Sequence, residues 1–541
     1  MNPTEIYGFC GLGFFLAIFL ANNVAPQAIA VARSLVVFAG RTIGYRYLVN
    51  RHRLLGPWTI ASVVAHMVYL AGNIATVTYG VKSWTQAAGR AGNMGLVNMA
   101  PLFLGTHLSF ISDALGIRLE TFRRIHRSCG LMAAGHMLSH GVIFAAHGML
   151  TAHNVGRVYA LTGAALILCL AVLSMPLFRK WAYEPYLRIH QMFAISVVFA
   201  TSKHLMSIKD FTWTALIIYG CVVLALAIIY TGLTLYRNKK WGYQWPRILV
   251  RLDNEVILAT ISFSRPLTVE PGQYLNLWVP SVSLLSSHPF IIASWSSNPQ
   301  KSLDLVIQPR SGFTRRLYRR AEMDSAQHVA SRAFFSGPHG HCVPTRGFDC
   351  VLLFATGFGV VPMLPHLKQL FHNYKERKSH TKRIHLIWQG QTIHLRQALK
   401  PVIDAILYED RAQRSYILRI SVYTETDMQR EVHGRCTLYP GKADVQSIVE
   451  NEATGNVAPS TSRMPAIREE HFPSASSDSK VDTAHLVTSD KLQGSPNAGV
   501  APGRTLILVS AEGGVRDSLR RVVRSYLHRN FELRELDYQP D

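Results

Sequence analysis

The hydrophobic pattern changes character near residue 240. Before it, apolar residues run in long stretches. A membrane-crossing helix needs about 20 mostly apolar residues, and seven such stretches lie at about 6–31, 57–79, 93–113, 124–147, 155–175, 186–206 and 212–236. Asn22, Asn23 and Pro26 interrupt the first and predict an irregular lower end. After residue 240, short runs bounded by turn residues take over. RILVRL, VILATISF, YLNLWVP, FIIASW and SLDLVIQP follow one another to about 310 and read as a small antiparallel barrel. From 349 the order becomes strand, glycine loop, helix, repeated, which predicts a parallel α/β sheet. Its strands are expected at CVLLFA, IHLIWQGQ and YILRISVYT, with TLILVS as the last. Residues about 451–503 are rich in Ser, Pro and Gly without periodicity and read as a disordered insertion.

Charge placement adds an orientation. The chain carries 56 Lys+Arg against 33 Asp+Glu, a formal net charge of +23, yet only 16% of its residues are charged. Soluble domains average about 25%. Basicity with sparse charge argues against a disordered tail and against an ordinary nucleic-acid binder; no nucleic-acid partner is expected. The basic residues sit in alternate loops: Arg33, Arg41, Arg46, Arg51 and Arg53; Arg118, Arg123 and Arg124; Arg179, Lys180 and Arg188; Arg237, Lys239 and Lys240. By the positive-inside rule these loops are cytosolic, the N-terminus is outside and the C-terminal half is in the cytosol. Part of the positive charge then faces anionic membrane lipid. Only Glu5 is charged at the extreme N-terminus, so no cleaved signal peptide is expected. No two of the seven cysteines form a C-x-x-C, which points away from a zinc site or a dense disulfide framework.

Histidines within the apolar stretches carry the chemistry. His126 and His140 are 14 residues apart in the fourth stretch, and so are His190 and His204 in the sixth. Fourteen residues turn an α-helix through about 1400°, within ~40° of whole turns, and rise ~21 Å. Each helix therefore shows two imidazoles on nearly one face, one toward each side of the membrane. The two stretches start from the same side and run parallel, so His126 faces His190 and His140 faces His204. Imidazole pairs on facing helices can hold a haem between them; two pairs make a stack of two haems, with iron closed to oxygen and suited to electron transfer. His136 has no partner at matching spacing and reads as a packing or hydrogen-bonding residue, as do His66, His107 and His147.

In the barrel, Pro271-Gly272-Gln273-Tyr274 reads as a turn entering a strand. His288-Pro289-Phe290-Ile291-Ile292-Ala293-Ser294 follows, and Gly312-Phe313-Thr314-Arg315-Arg316-Leu317 opens a helix whose free N–H groups suit a diphosphate. In the α/β part, Thr356-Gly357-Phe358-Gly359 lies between strand and helix, where a dinucleotide phosphate is placed. The full G-x-G-x-x-G is absent.

With the paired histidines, H-P-F-x-I, G-F-T-R-R-L, G-P-H-G at 337–340 and T-G-F-G-V-V-P, the chain resembles the fungal ferric reductase family and the wider group containing the NADPH oxidases. The resemblance implies a multi-domain membrane protein: N-terminal transmembrane helices (1–92), a ferric reductase-like transmembrane haem domain (93–240), an FAD-binding β-barrel (241–346) and an α/β NAD(P)-binding domain (347–541) interrupted at about 451–503. It implies two b-type haems on His126, His190, His140 and His204. It implies FAD on His288, Pro289, Phe290, Ile291, Ile292, Ala293, Ser294, Gly312, Phe313 and Thr314, with Phe290 against the flavin ring. It implies NADPH around Thr356, Gly357, Phe358 and Gly359. Three positions depart from the family pattern: Ile291 where Thr is usual, Thr356 where glycine is usual, and Ser510-Ala511-Glu512 where a Cys-Gly-Pro-like turn is usual.

The expected activity is that of an NADPH-dependent ferric-chelate reductase in the plasma membrane. Electrons pass from cytosolic NADPH through FAD and the two haems to a ferric or cupric chelate, or another acceptor, outside. A superoxide-generating NADPH oxidase, a biosynthetic reductase with an organic acceptor, and a non-enzymatic haem membrane protein stand as alternatives. NADPH against NADH, the acceptor and the oligomeric state are left open by the residues.

Overall fold

The computed structural model describes residues 3–24, 44–51, 56–148, 155–175, 183–209, 211–284, 286–324, 328–390, 393–412, 417–425, 431–433, 435–454, 503–527 and 530–538. The apolar half folds into helices α1 (Pro3–Val24), α2 (Ile60–Thr78), α3 (Trp84–Phe103), α4 (Leu108–Ala114), α5 (Leu119–Ala146), α6 (Val155–Leu173), α7 (Tyr183–Met206) and α8 (Thr214–Asn238). A hairpin of β1 (Tyr47–Val49) and β2 (Trp58–Thr59) precedes α2. Among the described residues, α2, α5, α6 and α8 are each long and apolar enough to cross a membrane, and α3 with α4 adds a fifth span if that bent pair is one. Residues 25–31 of the first apolar stretch, and Arg33, Arg41, Arg53, Arg179 and Lys180, lie outside the described residues.

The expected third helix at 93–113 is corrected. The helix starts at Trp84, capped by Ser83, whose side chain accepts from Gln86 N. It ends at Phe103, just after Pro101, and the chain turns by 96° through Leu104–His107 into α4. Proline withholds an N–H from the helix ladder and favours such a break. The early start escaped the apolar pattern because the first three turns are built of small and polar residues. Ala87, Ala88, Ala91, Met94, Gly95, Asn98 and Met99 form the buried face. Small residues at this spacing let two helix backbones approach closely inside lipid. The neighbour is α5: a Cβ on Gly95 would fall 2.6 Å from the Met137 methyl.

The expected barrel takes the form of two antiparallel sheets around one core. The strands are β3 (Arg247–Asp253), β4 (Val256–Leu267), β5 (Tyr274–Trp278), β6 (His288–Ile291), β7 (Gln300–Ile307), β8 (His328–Arg332) and β9 (Phe334–His339), with helix α9 (Phe313–Glu322) after β7. Their orders are β7-β4-β3-β8 and β6-β5-β9. Ile248, Ile261, Leu275, Leu277, Phe290 and Phe335 meet between them. Strands β8 and β9 were not anticipated; the Gly-Pro within FFSGPH hides the alternation of β9.

The α/β half is a seven-stranded sheet. Its elements are β10 (Cys350–Thr356), α10 (Met363–Lys375), β11 (Arg383–Gln389), α11 (Ile393–Ala412), β12 (Leu418–Thr424), β13 (Glu431–His433), β14 (Cys436–Pro440), α12 (Val445–Thr454), β15 (Thr505–Ser510), α13 (Gly513–Tyr526) and β16 (Phe531–Glu535). The order is β13-β14-β12-β11-β10-β15-β16, parallel throughout except for β13. Every residue of β10 and β15 is buried, as expected for central parallel strands covered on both faces. TLILVS is therefore not the last strand: β16 pairs beside it, and its FELRE sequence is too polar to stand out. Positions 451–454 complete α12; positions 455–502 of the expected insertion lie outside the described residues.

The membrane helices dock on the two other units through a few polar contacts. The Asn238 side chain, at the end of α8, donates to Phe335 O at 2.6 Å and accepts from Phe335 N at 3.0 Å. Arg237 donates to Gly337 O at 2.5 Å. Asp113 of α4 faces His339 Nδ1 at 2.6 Å and accepts from Gly340 N at 2.8 Å. Ahead of α2, Tyr47 and Arg51 both bond Asp517 of α13. The ends of α4 and α8 and the segment before α2 thus lie on one side, against the extramembrane units.

Between those units sits His366 on α10, wholly buried, with Nδ1 bonded to Pro362 O at 2.9 Å and its ring against Gly272. Burial pushes its pKa down to about 4 from an ordinary 6.5. Unfolded, this ring takes a proton below 6.5; folded, only near 4. Acidification across that window therefore favours unfolding, by about 3 kcal/mol for this group at its lower end. Thermal melts of the purified chain should fall as pH drops from 6.5 toward 4, and His366→Met should flatten the slope. Equal slopes would contradict the assignment.

Candidate functional site

The four membrane histidines expected to pair do so. His126 on α5 faces His190 on α7 with ring centroids 6.3 Å apart, and His140 faces His204 at 6.4 Å. Low-numbered meets low-numbered and high meets high, so α5 and α7 run parallel. The His126 pair lies toward the extramembrane units, because α5 begins at Leu119 just after α4, whose Asp113 docks on β9.

The surroundings fit a metal held between the rings. A first-row metal such as zinc binds imidazole nitrogen at about 2.0–2.1 Å, so an ion held end-on by two rings separates their centroids by about 6.3 Å. His140 Nδ1 bonds Ala88 O at 2.8 Å and His204 Nδ1 bonds Gly156 O at 3.1 Å. A carbonyl only accepts, so both Nδ1 atoms carry the proton and each Nε2 keeps a free lone pair, the form that binds metal. The Nδ1 atoms of His126 and His190 are buried with no hydrogen-bond partner among the described residues. Glycines provide the room. A Cβ on Gly92 would lie 2.8 Å from His140 Nδ1, and one on Gly105 would lie 3.0 Å from His126 Cε1. Among the described residues no group of three or more His, Cys, Asp or Glu is placed to hold a bare metal ion. Outside the pairs, buried His136 bonds Asn73 Oδ1 at 3.0 Å and His66 bonds Ser128 Oγ at 2.9 Å.

Of the residues expected at a flavin, His288 and Phe290 are brought against Phe313 at the start of α9. The His288 ring stacks on Phe313 at 4.6 Å. Gly312, at φ +66°, caps α9. Thr314 Oγ1 accepts from Arg310 N at 2.8 Å, and Ser294 Oγ accepts from Asp304 N of β7 at 3.0 Å. Phe290 is 2% exposed and packs in the core of the two sheets, with its ring centroid 6.0 Å from that of Phe313. Strand alternation turns it inward, together with buried Ile292, while Ile291 and Ala293 face the α/β unit and join its core. His288 and Pro289 keep partly open side chains.

The nucleotide loop lies at the topological switch point. From β10 the chain proceeds to β11 and β12 on one side, while β15 and β16 lie on the other. In such sheets ligands bind beyond the carboxyl ends of the strands at that switch. Here the two ends are laced together: Thr356 Oγ1 accepts from Glu512 N at 2.7 Å, and Trp388 Nε1 donates to Gly357 O at 3.0 Å. A Cβ on Gly359 would fall 1.8 Å from Ser510 O, so only glycine fits.

Sequence reasoning missed Gly92, Gly105, Asp113 and Glu184. A signal existed for the glycines. They are 13 residues apart, almost the histidine spacing, in reversed order, as an antiparallel neighbour of α5 requires.

Three family descriptions match in chain order: "Ferric reductase like transmembrane component" at residues 91–201, "FAD-binding domain" at 246–343 and "Ferric reductase NAD binding domain" at 348–483. Side by side they cover more than half of the sequence. The chain belongs to the ferric reductase family. Similar proteins include a probable cell surface ferric reductase kap2 of Aspergillus oryzae, 26% identical over 55% of this chain and 43% of its own length. A ferric/cupric reductase transmembrane component 2 of Saccharomyces cerevisiae is 25% identical over 59% of this chain and 46% of its own. Ferric reduction oxidase 5 of Arabidopsis thaliana is 25% identical over 56% and 43%. The matched stretch thus spans less than half the length of these relatives. Family membership brings the membrane unit, the FAD-binding unit and the NAD-binding unit into one chain, in the order in which they dock here.

Gly359→Ala should lower the melting temperature and abolish NADPH-dependent quenching of tryptophan fluorescence. Gly514→Ala, whose new Cβ meets nothing within 4 Å, should change neither. A Gly359→Ala protein that still binds NADPH as wild type does would contradict this packing.

Proposed function

We propose that this protein is a transmembrane ferric-chelate or cupric-chelate reductase, passing electrons from cytosolic NADPH to a metal chelate on the far side of the plasma membrane. The observation that carries this reading is the pair of imidazole pairs, spaced at 6.3 and 6.4 Å at two depths of the same two helices. In this reading all seven long helices, α1, α2, α3, α5, α6, α7 and α8, cross the membrane with the N-terminus outside.

The chain's own residues divide the work. His126 and His190 hold one b-type haem, and His140 and His204 hold the other. Ala88 O and Gly156 O keep the outer imidazoles in the ligating form. Gly92 and Gly105 leave room at the two levels. His288, Pro289, Phe290 and residues 291–294, with Gly312, Phe313 and Thr314, would hold FAD; Thr356, Gly357, Phe358 and Gly359 would hold NADPH. When bound, flavin would supply the exchange between a two-electron hydride donor and single electrons, and haem iron would supply one-electron transfer. No general acid or base is needed for the transmembrane part; the protein sets distances and excludes water. The apolar faces of α2, α5, α6 and α8 serve that exclusion. The names of the relatives, ferric and cupric reductases, support a metal chelate as acceptor.

Intact cells expressing the chain should reduce an impermeant ferric chelate, followed with a ferrous-specific dye. His140→Ala and His204→Ala should each lower the rate by about tenfold or more, since each empties the same outer ligand site. Full activity in His204→Ala would overturn the path. Reduction abolished by superoxide dismutase would replace the metal chelate by oxygen as acceptor.

A further inference from the structure

The start of α9, where a dinucleotide diphosphate is expected, is already taken by an anion from the membrane unit. Glu184, in the first turn of α7, places its carboxylate there. Its Oε1 accepts from Phe313 N at 2.8 Å. Arg316 Nη2 donates to Oε1 at 3.2 Å and to Oε2 at 3.0 Å. His288 Nε2 lies 3.8 Å from Oε1. Gly312 makes the space: a Cβ there would fall 2.5 Å from Oε1. No side chain of α9's own segment caps the helix, so Glu184 supplies the cap from another unit. Six positions further along α7, about 9 Å of helix rise, stands His190.

One backbone N–H and one guanidinium form this seat, with the His288 imidazole, bonded to Ser286 Oγ at 3.2 Å, beside it, and they can serve one set of anionic oxygens at a time. A carboxylate and a diphosphate in contact would repel. We propose that Glu184 is an internal plug of the diphosphate seat, displaced when a dinucleotide's diphosphate binds. Resting on the flavin reading above, this makes cofactor seating and release of the foot of α7 a single event. The unplugged state frees the helix that carries His190 from α9, and the plugged state holds the flavin-type unit against the membrane unit while the seat has no diphosphate. The plug lowers the affinity for FAD, because each binding event must break the Glu184 contacts first.

The test is a titration of the purified, flavin-stripped full chain with FAD, read by quenching of flavin fluorescence. Glu184→Gln keeps the shape and removes the charge. It should bind FAD about tenfold more tightly, the scale of losing one competing charge-assisted hydrogen bond at a partly open site. Glu184→Asp, too short to reach Phe313 N and Arg316 together, should tighten binding less and decides the matter if the glutamine variant does not fold. Glu120→Gln, at the foot of α5 and paired with Arg124, removes another first-turn carboxylate without touching the seat and should change nothing. Inorganic pyrophosphate should compete with FAD better in Glu184→Gln than in wild type. Unchanged or weaker FAD binding in both Glu184 variants would overturn the plug. Absence of FAD binding in wild type and all variants would overturn the flavin reading itself.

Discussion

Ionisable groups inside a membrane are expensive, and this protein keeps two facing pairs of them at two depths. Everything else in the membrane unit can be understood as holding those four imidazoles. Helix α3 is built from small residues because it must lie close against α5. At Gly92 within it, and at Gly105 in the turn that follows it, the chain passes so near a histidine ring that a methyl group would crowd it. The outer pair is oriented by backbone carbonyls of α3 and α6, the helices that flank α5 and α7. Position, tautomer and free space are thus set by three neighbouring elements at once.

The second requirement is that the extramembrane units stay fixed relative to the inner pair. The contacts that achieve this are few and polar, and they converge on β9 and α9. Asp113, Arg237 and Asn238 bind the G-P-H-G strand from one side, and Glu184 binds α9 from the other. The segment before α2 reaches the far end of the α/β unit through Tyr47, Arg51 and Asp517. The membrane helices thus touch both of the other units.

Much of this was legible in the residues. The equal spacing of the histidines determined the pairing, since helical geometry converts fourteen residues into a common face. Continuous apolar runs exposed β10 and β15, because central parallel strands are buried on both sides. What escaped had physical reasons. The first turns of α3 are made of alanine and glycine and carry little hydropathy, so the helix was placed too late and its break at Pro101 was missed. Strands β9 and β16 lie where proline, glycine or charge breaks alternation. Glu184 was invisible because its role depends on a partner more than a hundred positions away.

The central claim is that four imidazoles hold two iron porphyrins. The most direct measurement is the pyridine haemochrome content and low-temperature magnetic resonance of the purified chain. The account predicts two b-type haems per chain, both low-spin and six-coordinate. One should be lost in His140→Ala, the same one in His204→Ala, and no more in the double variant. A protein without iron porphyrin, or a spectrum untouched by both substitutions, would contradict it.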